Sequence, residues 1–530
     1  VGLVGEVVSS WGLSEPPQVL VGWEAEQAIW AEGAHSGPLV ASQVRPLERL
    51  VLGPLSLPLS VNQYTGGLPD WPARFVYMMF GSTQAVIALH VALGALLLFL
   101  VHRFLRFHGS DIAASVAALA LATDWNFLFY RKVLGGTEVL LQTAGLLLLW
   151  AVWSRRWAGG RHGDTAIAVA VGLGFLAKVT FLPTLIAFGI CTLMTRKDRP
   201  PTHAPASIRP LWMLGIVLLL TCPIWVGWIH HSLTISDTPH IRSHDYLDMQ
   251  WGRAWAGLAG EGQARESAVS LMAFLSSPFA WMESAYGIDP MKGSPWRLLA
   301  LLLLAGGSLM AWRDQAESKT RALLRFMSLL VPLQLLLIWA SNKDLHHLSQ
   351  ASITTAIWFG LACDRLAALI SPPRSPKRAF YSLILCAPWM IGGIHSLSNT
   401  DAALATSPHH SFTQKGQTEL KELLREARVQ HLWTSNYDLS GMLEMHLPEI
   451  DIVHAWGDVS QRGRKALPDL IKGAKGSHYL VVRPTAPMIY NLTPKTEELR
   501  TVGQRVGADV QLLSKLEDES GAWAELYAVN

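Results

Sequence analysis

Four groups of ionisable residues stand where apolar sequence begins or ends, and their types suit acid–base chemistry around an anion. The first is Glu24 and Glu26, in Trp23-Glu-Ala-Glu-Gln-Ala-Ile-Trp30. At helical spacing the two carboxylates point to different faces, so one can serve a cleft as a general base while the other is solvated. Both fit equally well as surface acids of an amphipathic interfacial helix. The second group is Arg131, Lys132 and Glu138. A guanidinium grips phosphate oxygens in a bidentate manner, whereas Lys132 also suits snorkelling to a headgroup. Glu138 lies a turn inside an apolar block, where a carboxylate needs a partner. The third is Lys178, between two short apolar segments in Gly172-Leu-Gly-Phe-Leu-Ala-Lys-Val179. It either reaches the outer surface or neutralises an anion in a cleft. The fourth is Lys343-Asp-Leu-His-His347. Adjacent histidines diverge on a helix and make a poor metal pair. His346 or His347 can donate to a phosphate or sugar, or serve as interfacial polar groups.

The elements that must hold these groups follow from composition. Charged residues make up 16% of the 530 residues and hydrophobic ones 50%, against about 25% charged in ordinary soluble domains. Mean hydropathy is +0.26. The apolar residues come in blocks, at 82–101, 111–129, 136–153, 165–177, 181–193, 211–229, 296–312, 323–340, 352–370 and 379–397. Blocks of roughly 20 residues match the thickness of a bilayer. The sequence therefore predicts an α-helical polytopic membrane protein of about 10–11 spans. The chain begins Val1-Gly-Leu-Val-Gly without a Met, and the expectation is that a preceding span has been lost. The net charge of +3 says little about partners, because topology dictates where Lys and Arg fall. Cys191, Cys222, Cys363 and Cys386 all lie in apolar blocks, so neither a disulfide framework nor a metal site is expected.

Orientation follows from the loops. One alternate set holds Arg103 and Arg106, then Arg155, Arg156 and Arg161, then Arg196, Lys197, Arg199 and Arg209. It continues with Arg313, Lys319, Arg321 and Arg325, and ends with Arg365, Arg374, Lys377 and Arg378. The positive-inside rule makes that set cytoplasmic. Residues 1–81 then form an outer first loop with amphipathic helices, and 82–400 a helical bundle with an outer loop at 231–295. Within that loop Val269–Trp281, broken by Pro278, reads as an interfacial or re-entrant helix. Residues 405–530 read as a small non-cytoplasmic α/β domain: a charged helix at 418–427 and β-rich runs at 429–433, 450–454, 478–482 and 523–529. Asn491-Leu-Thr493 is a glycosylation acceptor pattern.

Three stretches together resemble one family. Tyr64-Thr-Gly-Gly-Leu-Pro…Phe80-Gly81-Ser82 is similar to the end of the first periplasmic loop of C-type integral-membrane glycosyltransferases. The similarity points to glycosyltransferase family 39, the protein O-mannosyltransferase and aminoarabinose transferase group. Ala122-Thr-Asp-Trp-Asn…Tyr130-Arg131…Glu138 resembles that family's span-pair turn, and Gly172-Leu-Gly-Phe-Leu-Ala-Lys178 its Gly-Leu-x-x-Leu-x-Lys pattern. His346-His347 before a span resembles a variant in bacterial members.

The resemblance implies inverting sugar transfer from a polyprenyl-phosphate donor on the non-cytoplasmic face of a bacterial inner membrane. Glu24, with Glu26 in reserve, would be the general base, and Tyr64, Arg131, Glu138, Lys178, His346 and His347 would serve the lipid phosphate and substrate. The implied partners are membrane lipid, the lipid-linked sugar and an acceptor glycan, lipid or protein; nucleic acid is not implied. No cofactor beyond the lipid-linked donor is called for, and a divalent-metal need is left open. The family's Asp beside the first-loop acid is absent, and Thr-Gly-Gly-Leu-Pro replaces its Lys-Pro-Pro. Two other classes compete: a transporter or flippase of lipid-linked sugar, and a catalytically degenerate scaffold.

Overall fold

The computed structural model describes residues 48–52, 55–60, 71–80, 83–124, 127–128, 136–158, 161–178, 181–195, 213, 215–222, 295–313, 318–342, 350–372, 375–406, 414–435, 443, 447, 449–454, 463–482, 493–518 and 521–530. A hairpin, β1 (Glu48–Leu52) and β2 (Leu55–Ser60), opens the described part, followed by helix α1 (Trp71–Phe80). Amphipathic helices were expected in residues 1–81; among the described residues of that stretch stand one helix and this hairpin. The bundle comprises α2 (Thr83–His108), α3 (Asp111–Ala122), α4 (Gly136–Ala158), α5 (Arg161–Ala177) and α6 (Leu182–Met194). It continues with α7 (Pro295–Arg313), α8 (Lys319–Asn342), α9 (Ser352–Ile370) and α10 (Pro376–Thr406).

The chain is a polytopic helical membrane protein with a small C-terminal sheet region, as the apolar blocks predict. Among the described residues, 88–108, 319–338 and 352–370 are long and apolar enough to cross a bilayer. Helices at 111–122, 163–177, 182–194 and 298–313 are apolar but shorter. The second block gives a shorter helix than expected, since it stops at Ala122 rather than Phe129. The Thr123 hydroxyl donates back to the carbonyls of Leu119 and Ala120, while the Asp124 carboxylate accepts from the Phe127 N–H. Those local bonds compete with the helical ladder and end it. A helix of 12 residues is about 18 Å long, short of the ~30 Å hydrocarbon layer.

Helix α9 is the centre of the bundle: it packs on α2, α3, α4, α7, α8 and α10. Gly360 makes the approach to α3 possible, because a Cβ there would lie 2.5 Å from the Ala113 carbonyl oxygen and 2.8 Å from the Ala117 Cβ. Small residues at helix crossings are how apolar helices pack inside lipid. Polar side chains add fixed links. The Trp358 indole donates to Ser308 Oγ at 2.8 Å, joining α9 to α7. The Trp389 indole on α10 donates to the Ala120 carbonyl at 3.0 Å, satisfying one of the orphan acceptors at the end of α3.

Beyond α10, helix α11 (Gln414–Glu426) leads into a five-stranded sheet. Its strands are β3 (His431–Thr434), β4 (Asp451–His454), β5 (Ser477–Val482), β6 (Val510–Asp518) and β7 (Gly521–Val529), in the order β4-β3-β5-β7-β6. Strand β3 is parallel to both β4 and β5; β7 runs antiparallel to β5 and β6. Helices α12 (Leu467–Gly473) and α13 (Thr496–Val506) cover one face, where Ile471 and Leu499 meet Tyr479, Tyr527 and Val529.

Candidate active site

Two of the expected site residues fall on described structure. Glu138 is in the first turn of α4 and 5% exposed; Lys178 directly follows α5 and is 4% exposed. Helices α4 and α5 are consecutive and pack along each other, so both charges stand at the same end of one hairpin. Both are engaged with neighbours, as burial of a charge requires. Glu24, Glu26, Tyr64, Arg131, Lys132, His346 and His347 lie outside the described residues, as do Val269–Trp281 and Asn491.

The sequence around Lys178 explains its local shape. Its N–H donates to the Gly174 carbonyl at 3.0 Å, closing α5, and its carbonyl accepts from Phe181 N–H at 3.0 Å, opening the turn into α6. Gly174 lets the Phe181 ring fold back onto α5, since a Cβ there would lie 2.2 Å from a ring carbon. Phe175 meets Phe181 edge-on with centroids 6.4 Å apart. The lysine is thereby held on a tight, aromatic-backed turn.

Close to this turn in the chain is a buried chain of neutral polar groups that sequence patterning missed. The Gln334 Nε2 donates to Thr184 Oγ1 at 3.1 Å, and Thr354 Oγ1 donates to Gln334 Oε1 at 2.8 Å. It ties α6, α8 and α9 together near the starts of α6 and α9. Neutral polar residues inside apolar blocks carry no periodic signal; an amide there is costly unless bonded, and that cost is the signal available. Asp124, 4% exposed, accepts from the Phe127 N–H; it stands in the Ala122–Asn126 stretch quoted for the resemblance but was given no role there.

The opposite end of the bundle is built differently. Asp364, on α9, accepts from Ser110 Oγ at 2.8 Å and pairs with Arg378 at 2.8 Å. Ser110 also caps α3 by accepting from Ala113 N–H. Thr320 donates to the Gly109 carbonyl at 3.1 Å, and Arg155 pairs with Asp164 at 2.9 Å. Asp364 was not singled out from the sequence, although an acid inside an apolar block is expensive and that cost was the signal available.

Among the described residues no group of three or more His, Cys, Asp or Glu is placed to hold a metal ion. An open cleft of about 400 Å³ lies between α12 and α13, lined by Arg464, Glu497, Glu498 and Arg505 among others. Arg464 and Glu498 pair across it at 2.8 Å, which marks it as a structural seam in the C-terminal region.

No protein-family model matches the chain, and no curated protein does. Solved structures do. The chain aligns with ArnT from Cupriavidus metallidurans bound to undecaprenyl phosphate at TM-score 0.59 and 13% identity, covering 99% of this chain and 97% of that one. With the same protein in the apo state the TM-score is 0.58, at 14% identity, over 100% and 97%. The chain has the ArnT fold. At such identity the likeness establishes architecture, and it agrees with the C-type glycosyltransferase fold expected from the three sequence stretches. A third alignment, with the Archaeoglobus fulgidus oligosaccharyltransferase, covers 96% of this chain and 68% of that one at 11% identity; its TM-score of 0.49 is too low to bear on the fold.

Proposed function

We propose that this protein transfers a sugar from a polyprenyl-phosphate donor to an acceptor hydroxyl on the non-cytoplasmic face of a bacterial inner membrane, with inversion. The observation that carries the reading is the burial of Glu138 and Lys178 at one end of the α4–α5 hairpin, in the fold of a protein solved with undecaprenyl phosphate. In the reaction the acceptor oxygen attacks the anomeric carbon and loses its proton to the base. The bond from that carbon to the phosphate oxygen breaks, and polyprenyl phosphate departs with the electron pair. Glu24 takes the role of base, with Glu26 in reserve. Lys178, Arg131, Tyr64 and His346 or His347 hold the phosphate, where fixed cations stabilise the charge that develops. Glu138 orients the cations beside it. In this reading residues 1–81 form an outer loop over the bundle, and 405–530 an accessory unit outside the chemistry.

A transporter of lipid-linked sugar would need both ends of the bundle to open in turn. The ties among Ser110, Asp364 and Arg378 join α3, α9 and α10 at the basic-loop end and favour one-sided access. Purified protein supplied with labelled polyprenyl-phosphate sugars tests the reading. Glu24→Gln and Glu26→Gln should differ in turnover, the former losing on the order of 10²-fold or more. Full turnover in both variants would sink the mechanism, and no transfer by the unaltered protein would sink the function.

A further inference from the structure

We infer that Gln334 is a positioning residue: its amide locks the turn carrying Lys178 to the start of α9, and so sets affinity for the donor phosphate. The inference rests on Lys178 serving that phosphate. Gln334 is 1% exposed, Thr184 1% and Thr354 2%, so the three meet out of water. The amide acts in two directions at once, donating to Thr184 of α6 and accepting from Thr354 of α9. Thr354 has one hydroxyl proton, and the Ala351 carbonyl lies 2.9 Å from the same oxygen. That proton is therefore shared between the amide and the first turn of α9.

One partner is close in the chain to Lys178, and the other opens the central helix of the bundle. Thr184 stands near the start of α6, shortly after Lys178 in the chain, and the Phe181 N–H between them donates to the Lys178 carbonyl. Thr354 stands in the first turn of α9. Apolar side chains of equal size would hold three helices together about as well. They would not fix axial register, because dispersion is non-directional, whereas hydrogen bonds demand angle and distance. A displacement of about 1 Å at a substrate-holding group can cost as much as 10²-fold.

The experiment compares Gln334→Leu, Thr354→Val, Thr354→Ser and Thr184→Val with the unaltered protein. Undecaprenyl phosphate binding and the kcat and KM for a polyprenyl-phosphate sugar are measured alongside thermal unfolding. Thr354→Val and Gln334→Leu should raise the Kd for undecaprenyl phosphate and the donor KM by about ten-fold, with kcat within about two-fold. Thr354→Ser, which keeps the hydroxyl, should restore both values. Thr184→Val probes the same link from another helix, should one variant fail to fold. Unchanged Kd and KM with a lowered Tm would reduce Gln334 to a structural tie and leave the proposed function standing. Failure of the unaltered protein to bind undecaprenyl phosphate would overturn both.

Discussion

The two ends of the helical bundle solve the problem of buried polarity in opposite ways. At the basic-loop end, Asp364 spends its carboxylate on Ser110 and Arg378, and Arg155 closes on Asp164. Each named charge there has a named counter-charge. At the other end neutral groups tie three helices together, running Thr184–Gln334–Thr354, while Glu138 and Lys178 stand buried and engaged with neighbours at the ends of neighbouring helices. Mutual charge neutralisation fixes a structure but leaves nothing for a ligand. Neutral ties fix helices without drawing on formal charge. Under the proposed function, the first end serves stability and the second carries the chemistry.

The largest effect should come from breaking the closed end. Asp364 is 3% exposed at its side chain, and Asp364→Ala leaves Arg378 without its partner. Removing one member of a buried pair costs about 3–5 kcal/mol. Thermal unfolding in detergent should report that loss, while turnover per folded molecule stays near that of the unaltered protein. A collapse of turnover with little loss of stability would erase the distinction between the ends.

A smaller effect at the other end should mix the two readouts. Gly174→Ala drives a methyl into the Phe181 ring, and overpacking of this kind costs about 1–3 kcal/mol. Because the displaced ring backs the Lys178 turn, donor KM should rise together with the fall in Tm. A drop in Tm with unchanged KM would detach that turn from donor binding.

The smallest effect lies in the C-terminal sheet and serves as an internal control. Burial pushes the Tyr479 phenol up to about 12, against which its bond with Ser435 pulls only partly. Tyr527 is also raised, by burial first and then by its bond to Glu525. A raised folded-state value means that the unfolded chain ionises first. Stability from these tyrosines is therefore intact below about pH 10. It falls as pH rises through about 12 for Tyr479. Ultraviolet titration should find these phenols ionising late, and Tyr479→Phe should remove part of the alkaline slope. Ionisation of every tyrosine near pH 10 would contradict the packing described around β5 and β7.

Much of this architecture is legible in the chain because hydropathy in long blocks has few structural solutions in lipid. Expected blocks such as 296–312, 323–340 and 352–370 fall on α7, α8 and α9. Hydropathy marks the lipid layer rather than the helix, however, so α10 runs on to Thr406 through residues that are helical without being apolar. The end of α3 at Ala122 was hidden because Thr123 and Asp124 act through side-chain bonds that hydropathy ignores. Strand β6 was missed for a different reason. Leu512, Leu513 and Leu516 follow a helical rhythm, and pairing with β7 overrides it through a register shift between Leu512 and Ser514. At the candidate site, Glu138 and Lys178 stood out as charges bordering apolar sequence. Gln334 did not, since its role exists only once three helices separated in sequence have come together.

The most direct test of the contrast is the rate of sugar transfer by Lys178→Met. Labelled polyprenyl-phosphate sugar is the donor, and the rate is compared with that of the unaltered protein at matched folded fractions. The account predicts transfer by the unaltered protein and a loss on the order of 10²-fold in the variant, with little change in Tm. Undiminished transfer by Lys178→Met would contradict it.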